Sequence, residues 1–247
     1  MAPQQQQAGE EAGASSGLAG MLSVFIDPAR TARGASAKLA WLWPVITLAI
    51  IYMVFGYLML PFTLQAIDAR LTQAIQQQGA PAERLEAARN ITMMITRVAF
   101  VFTPLVIIGF LALFAWLVMV TGSMVGLRAK FREVFALMSA CSLISGLQYI
   151  ATYIVLRTKG DEITSQEQLT PPFGLDIFLQ DVHGPLLALL NFFSIFEIWY
   201  LIVFTVGLAA LAKTSKGKAF AAITPAWLIP LILRMIQAAV QGASGNS

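Results

Sequence analysis

Five long runs without charged residues divide the chain, and they constrain its fold more than any other feature. The runs cover residues 39–67, 98–127, 134–156, 182–212 and 219–247, and only Glu197 and Arg234 interrupt the last two. Each exceeds the roughly 20 residues that a helix needs to cross a bilayer core about 30 Å thick. Only 12% of the 247 residues are charged, against about 25% in soluble domains. We therefore expect an all-α, polytopic integral membrane helix bundle.

The same pattern predicts the organisation of the chain. A disordered cytoplasmic tail, residues 1–20, is rich in Gln, Gly, Ala and Ser. A single membrane domain, residues 21–242, follows it, and residues 243–247 form a short tail. The five transmembrane helices are expected at 41–66, 98–122, 133–156, 185–211 and 219–241.

An N-terminal amphipathic helix is expected before the first span. Asp27 followed by Pro28 is an N-cap with proline at the first helical position, which predicts a helix over residues 28–38. Its cations are Arg30, Arg33 and Lys38. Basic residues with tryptophans beyond them are typical of an interfacial helix that lies at the membrane surface. The alternative is an ordinary positively charged flank.

The distribution of cations predicts the orientation. With the N-terminus inside, nine cations lie on the inner side: Arg30, Arg33, Lys38, Arg128, Lys130, Arg132, Lys213, Lys216 and Lys218. Six lie on the outer side: Arg70, Arg84, Arg89, Arg97, Arg157 and Lys159. Because short cytoplasmic loops carry the excess of Lys and Arg, we expect a cytoplasmic N-terminus and an extracytoplasmic C-terminus. In a bacterium this would be the inner membrane.

Glu197 and Arg234 are the two charges inside the apolar runs. Glu197 lies 16 residues before Lys213, and Arg234 lies 16 residues after Lys218. A tight turn between two antiparallel helices would place both at the same depth, about 24 Å from the inner end. Such residues usually pair, so the sequence predicts an intramembrane charge pair that fixes the register of a hairpin. A substrate or proton site is the functional alternative, and a neutral Glu197 with Arg234 reaching outward is another.

A stripe of small and polar residues lies along the third span. Its members are Ser139, Ser142, Ser145, Gly146 and Tyr149. In lipid, such a stripe usually packs against another helix, because small residues let backbones approach closely. A face that lines a ligand site is the alternative.

The sequence offers little for enzyme chemistry. One histidine, His183, and one cysteine, Cys141, cannot build a usual zinc site. We find no phosphate-binding loop, nucleophile elbow or paired-glycine fingerprint. We therefore expect no catalytic residues, no metal and no cofactor. The net charge of +3 is too small and too dispersed to indicate a nucleic-acid partner.

Three stretches resemble the bacterial branch of the Ypt-interacting-protein family, whose Yip domain is a five-span membrane domain. They are "SVFIDPARTARGASAKLAWLWPVI", "GLRAKFREVFALMSAC" and "FEIWYLIVFTVGLAALAKTSKGKAFAAI". The third is the most specific, and its matching residues are Phe196, Ile198, Trp199, Gly207, Ser215, Gly217, Lys218 and Ala219. The resemblance covers residues 21–240, and these motifs concern packing and turns.

The resemblance implies no settled activity for a bacterial relative, and the leading hypothesis is a non-enzymatic membrane organiser or scaffold. Its expected partners are membrane lipids and an unidentified membrane or cytoplasmic protein, and an oligomer is possible. Eukaryotic relatives bind Rab-type GTPases through a longer cytosolic N-terminal region than the tail here, so GTPase binding does not carry over. The nine inner cations are the candidate contacts for lipid or partner. A small transporter or channel that uses Glu197 and Arg234 is the alternative function.

Overall fold

The computed structural model describes residues 18–37, 39–78, 82–159, 169, 171–179, 182 and 184–245. In this part of the chain every regular element is helical, and we number the α-helices α1 to α9. They are Leu18–Ile26 (α1), Pro28–Gly34 (α2), Leu42–Gln78 (α3), Ala82–Met124 (α4), Phe131–Cys141 (α5), Leu143–Lys159 (α6), Gly184–Phe192 (α7), Ile195–Leu211 (α8) and Lys216–Gly245 (α9). A short 3-10 helix, Leu175–Phe178, precedes α7. The all-α prediction is confirmed.

Four helical stretches of the described chain are long and apolar enough to cross a membrane alone. They are Leu42–Ala69, Glu86–Met124, Phe131–Thr158 and Lys216–Val240. Helices α7 and α8 pass the same test only together, and the pair is bent by 49°. Counting the bent pair as one span gives five, the predicted number. The predicted span 185–211 is therefore two helices and not a continuous one.

The junction of α7 and α8 is a helix start inside an apolar run. Ser194 is the N-cap of α8, and its Oγ accepts a hydrogen bond of 3.1 Å from the Glu197 backbone N–H. The Ile195 N–H donates to the Phe173 carbonyl of the preceding loop at 3.0 Å. The first N–H groups of a helix have no intrahelical acceptor, which is costly in hydrocarbon without such partners. Ser-x-x-Glu is a known pattern at helix starts, so the break has a local sequence signal.

Several element ends differ from the prediction. Helix α1 begins at Leu18, inside the expected tail, while residues 1–17 lie outside the described chain. Helix α9 continues to Gly245, so most of the expected C-terminal tail is helical. Helices α3 and α4 both extend beyond their predicted spans, toward a connection at residues 79–81 that is not described.

The predicted start of the N-terminal amphipathic helix is confirmed at Asp27 and Pro28. The Asp27 Oδ1 accepts from the Arg30 N–H at 3.0 Å, and Pro28 opens α2. Helix α2 ends at Gly34, four residues earlier than predicted, and Lys38 lies outside the described residues. Placement at the membrane surface stays a prediction.

Helices α1 and α2 form a hairpin that packs against α8. The Ser23 and Thr31 hydroxyls are 2.8 Å apart across the hairpin. The Phe25 ring lies 5.6 Å from the Trp199 ring, measured between centroids, and α2 contacts α8 and α5. The element therefore covers part of α8 in addition to carrying positive charge.

The chain divides into two compact units, which we describe separately. The first comprises residues 1–48, 108–145 and 172–247, and the second comprises residues 49–107 and 146–171. The second unit has its own core, formed by Met59, Phe62, Ala66 and Leu156. In it the Tyr52 and Tyr149 rings lie 4.6 Å apart, and Arg89 and Asp68 form an ion pair of 2.9 Å between α4 and α3.

The core of the first unit lies where α5 meets α8. Eight consecutive residues of α5, numbers 134–141, are buried. Gly207 of α8 faces Leu137, and a Cβ atom at Gly207 would lie 2.8 Å from the Leu137 Cδ1. A methyl group at this position would therefore force the buried Leu137 side chain to shift.

We predict opposite effects for alanine at two helical glycines. Gly207→Ala should lower the free energy of unfolding by about 1–2 kcal/mol, because the methyl group overpacks against buried Leu137. Gly109→Ala is the matched control, since no atom lies within 4 Å of its Cβ position. It should raise stability by up to about 1 kcal/mol through helix propensity. Thermal unfolding in detergent measures both, and equal effects would contradict the packing assignment.

Candidate functional site

Glu197 lies in the first turn of α8, immediately after the break. Its Oε1 accepts a hydrogen bond of 2.7 Å from the indole Nε1 of Trp227 on α9. The position also favours a carboxylate because the exposed N–H groups of a helix N-terminus carry partial positive charge. Trp227 thus provides the partner that an acid in an apolar helix requires.

Two aromatic rings pack against the Trp227 indole. The Phe192 ring lies 4.9 Å and the Phe193 ring 5.7 Å from that of Trp227, measured between centroids. Phe192 ends α7 and Phe193 lies in the break, so the bend between α7 and α8 brings both rings to α9. We call Phe192, Phe193 and Trp227 the aromatic cluster.

Arg234 lies over the Phe192 ring of the aromatic cluster. Its side chain is exposed, and its guanidinium carbon lies 5.9 Å from the Phe192 ring centroid. Among the described residues the ion pairs are Arg33–Asp27 and Arg89–Asp68, so Glu197 and Arg234 form no direct salt bridge.

The predicted equal depth of Glu197 and Arg234 depended on where the turn was placed. The helix ends in the structure lie elsewhere. Counting from the lysines gives 16 residues on each side, but α8 ends at Leu211 and α9 begins at Lys216. From these ends, Glu197 is 14 residues away (211 − 197) and Arg234 is 18 (234 − 216). The difference of four residues moves Arg234 about 6 Å further along the hairpin. The role of the two charges, structural or functional, stays a prediction.

A cavity of about 190 Å³ opens beside Glu197. Helices α4, α5, α6, α8 and α9 line it, mostly with aromatic and aliphatic side chains such as Phe110, Phe114, Phe204 and Ile223. Its polar side chains are Glu197, Tyr200, Ser142, Ser145 and the Trp227 indole. An apolar cavity with a few convergent polar groups is the usual form of a small-ligand site.

The structure divides the polar stripe of the third span. Ser142 and Ser145 line the cavity, and Ser139 is buried with its Oγ donating to the Phe135 carbonyl at 2.7 Å. Gly146 and Tyr149 belong to the second unit. The ligand-lining alternative therefore fits two residues of the stripe, and packing fits Ser139.

The described inner cations are all exposed and all belong to the first unit. They are Arg30, Arg33, Arg128, Lys130, Arg132, Lys213, Lys216 and Lys218. Arg132 Nη2 donates to the Ser36 carbonyl at 2.7 Å, which ties the segment after α2 to the start of α5. A pocket of about 470 Å³ next to this tie is lined by Arg128, Lys130 and Ser123, among others.

The described residues contain no candidate metal site and no accessible thiol. There, no three His, Cys, Asp or Glu residues are arranged to hold a metal ion. The Cys141 side chain is completely buried, which keeps its thiol from reagents in solution. His183 lies outside the described residues.

Sequence reasoning missed Trp227 as the partner of Glu197. An indole N–H in an apolar segment requires an acceptor, and Glu197 supplies the one carboxylate within the preceding apolar run. This reasoning would have paired the two residues, whereas matching opposite charges favoured Arg234.

We predict that Glu197 couples more strongly to Trp227 than to Arg234. In a double-mutant cycle of unfolding free energy, Glu197→Met with Trp227→Phe should show a coupling of at least about 0.5 kcal/mol, because the side chains of Glu197 and Trp227 are hydrogen-bonded and methionine removes the acceptor. The cycle of Glu197→Met with Arg234→Gln should show a smaller coupling. A larger coupling of Glu197 to Arg234 than to Trp227 would contradict this prediction and support a direct charge pair.

One family model matches the chain, that of the Yip1 domain, and it aligns with residues 22–236. No curated protein and no solved structure matches the chain. The matched residues include most of the described helices and both the cavity and the inner cations. The chain therefore belongs to the Yip1-domain family of multi-pass integral membrane proteins.

Proposed function

We propose that the protein is a non-enzymatic membrane organiser or scaffold that works through lipids and protein partners. The working surface is the basic face, which we define as Arg30, Arg33, Lys38, Arg128, Lys130, Arg132, Lys213, Lys216 and Lys218. The observation that carries the proposal is the exposure of its eight described members on one unit. Their side chains are open to anionic head groups or to an acidic partner surface.

Electrostatics gives the basic face a useful affinity for anionic lipid. Each Lys or Arg near a membrane surface contributes about 1 kcal/mol of attraction. The pocket beside Arg128 and Lys130 has room for a phosphate-bearing head group. The hydrogen bond from Arg132 to Ser36 supports a preorganised surface, because it fixes the N-terminal hairpin next to this pocket.

The proposed orientation has the basic face in the cytoplasm and the C-terminus outside. Its support is the excess of nine inner over six outer cations. In a bacterial cell the location would be the inner membrane. A partner in this arrangement is a cytoplasmic protein, a membrane protein or a second copy of the chain.

The transporter alternative has less support from the described spans. Proton and ion pathways usually contain several titratable groups on successive helices. Between the charged ends of its candidate spans, the described chain offers Glu197 and Arg234, and both lie on the α8–α9 hairpin. Among the described residues, no series of acids or histidines extends from Glu197 or Arg234 along the spans.

We predict that removing charge from the N-terminal part of the basic face weakens anionic-lipid binding. Changing Arg30, Arg33 and Lys38 together to Gln should reduce the affinity for phosphatidylglycerol in nanodiscs by about fivefold per cation. Pull-down from native membranes should lose any partner that this surface recruits. A variant with Arg84, Arg97 and Arg157 changed to Gln is the control of equal charge. An equal loss in the control, or none in the test variant, would refute the proposal.

We predict that the turn between α8 and α9 is closed to reagents added outside the cell. A Ser215→Cys variant should react with a membrane-impermeant maleimide only after permeabilisation. Ser215 is exposed, and its turn lies on the cytoplasmic side in the proposed orientation. The native thiol gives little background, since Cys141 is buried. Asn90→Cys, at an exposed position of α4, should react in intact cells. Labelling of Ser215→Cys in intact cells would invert the proposed topology.

A further inference from the structure

We infer that the cavity beside Glu197 binds the head group of an aminophospholipid, with the ammonium group at Glu197 and the phosphate at Arg234. This inference is independent of the basic face, which lies at the opposite end of α8 and α9. It rests on the chemistry of the cavity wall, on the free acceptors around Glu197 and on the exposed guanidinium near the aromatic cluster.

The carboxylate retains the capacity to bind a cation. Within the described chain the hydrogen bond to the Glu197 side chain is the one from Trp227, and it occupies Oε1. The second oxygen, Oε2, can accept from a ligand. A negative group in an otherwise uncharged cavity selects positive ligands, because a counter-charge offsets the cost of its burial.

The acceptors around the cavity favour a primary ammonium group over a quaternary one. Ser142, Ser145 and Tyr200 add hydroxyl oxygens to the Glu197 carboxylate. Pro230 has no N–H, so it leaves the Ala226 carbonyl without its usual helix donor, and both residues line the cavity. An ammonium group with three N–H donors can use several such acceptors. A trimethylammonium group has no N–H to donate.

Aromatic rings strengthen the same preference for a cation. Phe110, Phe114, Tyr200, Phe204 and Trp227 all line the cavity. Cations are attracted to the faces of such rings, and the attraction grows where water is excluded. The volume of about 190 Å³ is below the range of drug-sized pockets and suits a small head group.

Arg234 supplies the complementary group for the phosphate. Its guanidinium is exposed beside Phe192 and has no ion pair in the described chain. Arg234 follows the cavity residue Pro230 by four positions, so the two share one face of α9. Guanidinium groups bind phosphate with paired, charge-assisted hydrogen bonds. An acid and a base that both contact one aromatic cluster thus match a zwitterion, with no net charge added to the site.

The test compares lipids that differ in one group, using native mass spectrometry of the full-length protein. Phosphatidylethanolamine should bind at least about tenfold more tightly than phosphatidylcholine to the wild type, as expected for charge-assisted hydrogen bonds that choline cannot make. Glu197→Gln should remove this preference. Arg234→Gln should weaken both lipids alike, because both contain the phosphate.

The variants are chosen to preserve the fold. Gln at 197 retains an oxygen that accepts from the Trp227 indole. Glu86→Gln and Arg157→Gln change exposed charges in the second unit and should leave lipid binding unchanged. Equal wild-type binding of the two lipids would overturn the inference without reference to any variant. An ethanolamine preference that survives Glu197→Gln would also overturn it.

Discussion

A carboxylate in an apolar helix must be satisfied within the protein, and the hydrogen bond from Trp227 to Glu197 meets this requirement. The bond joins α8 to α9 within the apolar part of their hairpin. The break before α8 makes it possible, because it places Glu197 in the first turn of a helix. Phe192 and Phe193 then pack on the same indole ring. The Trp227 side chain thereby contacts the acid, the residue in the bend and the end of α7.

The break depends in turn on the loop that precedes α7. Phe173 accepts from the Ile195 N–H, and a Cβ atom at Gly174 would overlap the Leu190 carbonyl oxygen. With its amide nitrogen facing Asp176, Asn191 donates to that carboxylate at 2.7 Å. A loop that approaches α7 this closely supplies the acceptor that the new helix start needs. Loop, break and acid therefore form a cooperative unit, and loss of one part exposes unsatisfied groups in another.

The class and the number of spans could be predicted because hydropathy reports on the whole length of each helix. The start of α2 was also predictable, since Asp27 and Pro28 encode it locally. The break at Ser194 was missed despite its Ser-x-x-Glu signal, because a long apolar run satisfies a span criterion whether or not it bends. The partner of Glu197 was missed for a different reason. Counting residues gives depth along a hairpin, but it neglects where the helices actually end and which way a side chain faces.

Sequence could not reveal the hairpin of α1 and α2 against α8 either. Its apolar first helix has few distinguishing residues, and the packing depends on small surfaces meeting in three dimensions. Ala32 and Ala35 are buried there, while Arg30 and Arg33 of the same segment remain exposed. One short segment thus contributes both to the packing of the first unit and to the basic face.

The basic face and the Glu197 cavity lie too far apart to hold the same lipid head group. Glu197 is 14 residues from the end of α8 at Leu211, which corresponds to about 21 Å along the helix. That distance is roughly two-thirds of a bilayer core of about 30 Å. An aminophospholipid at Glu197 and an anionic lipid at Lys213–Lys218 therefore belong to opposite leaflets. The two proposals together place lipid contacts in both leaflets around one hairpin of α8 and α9.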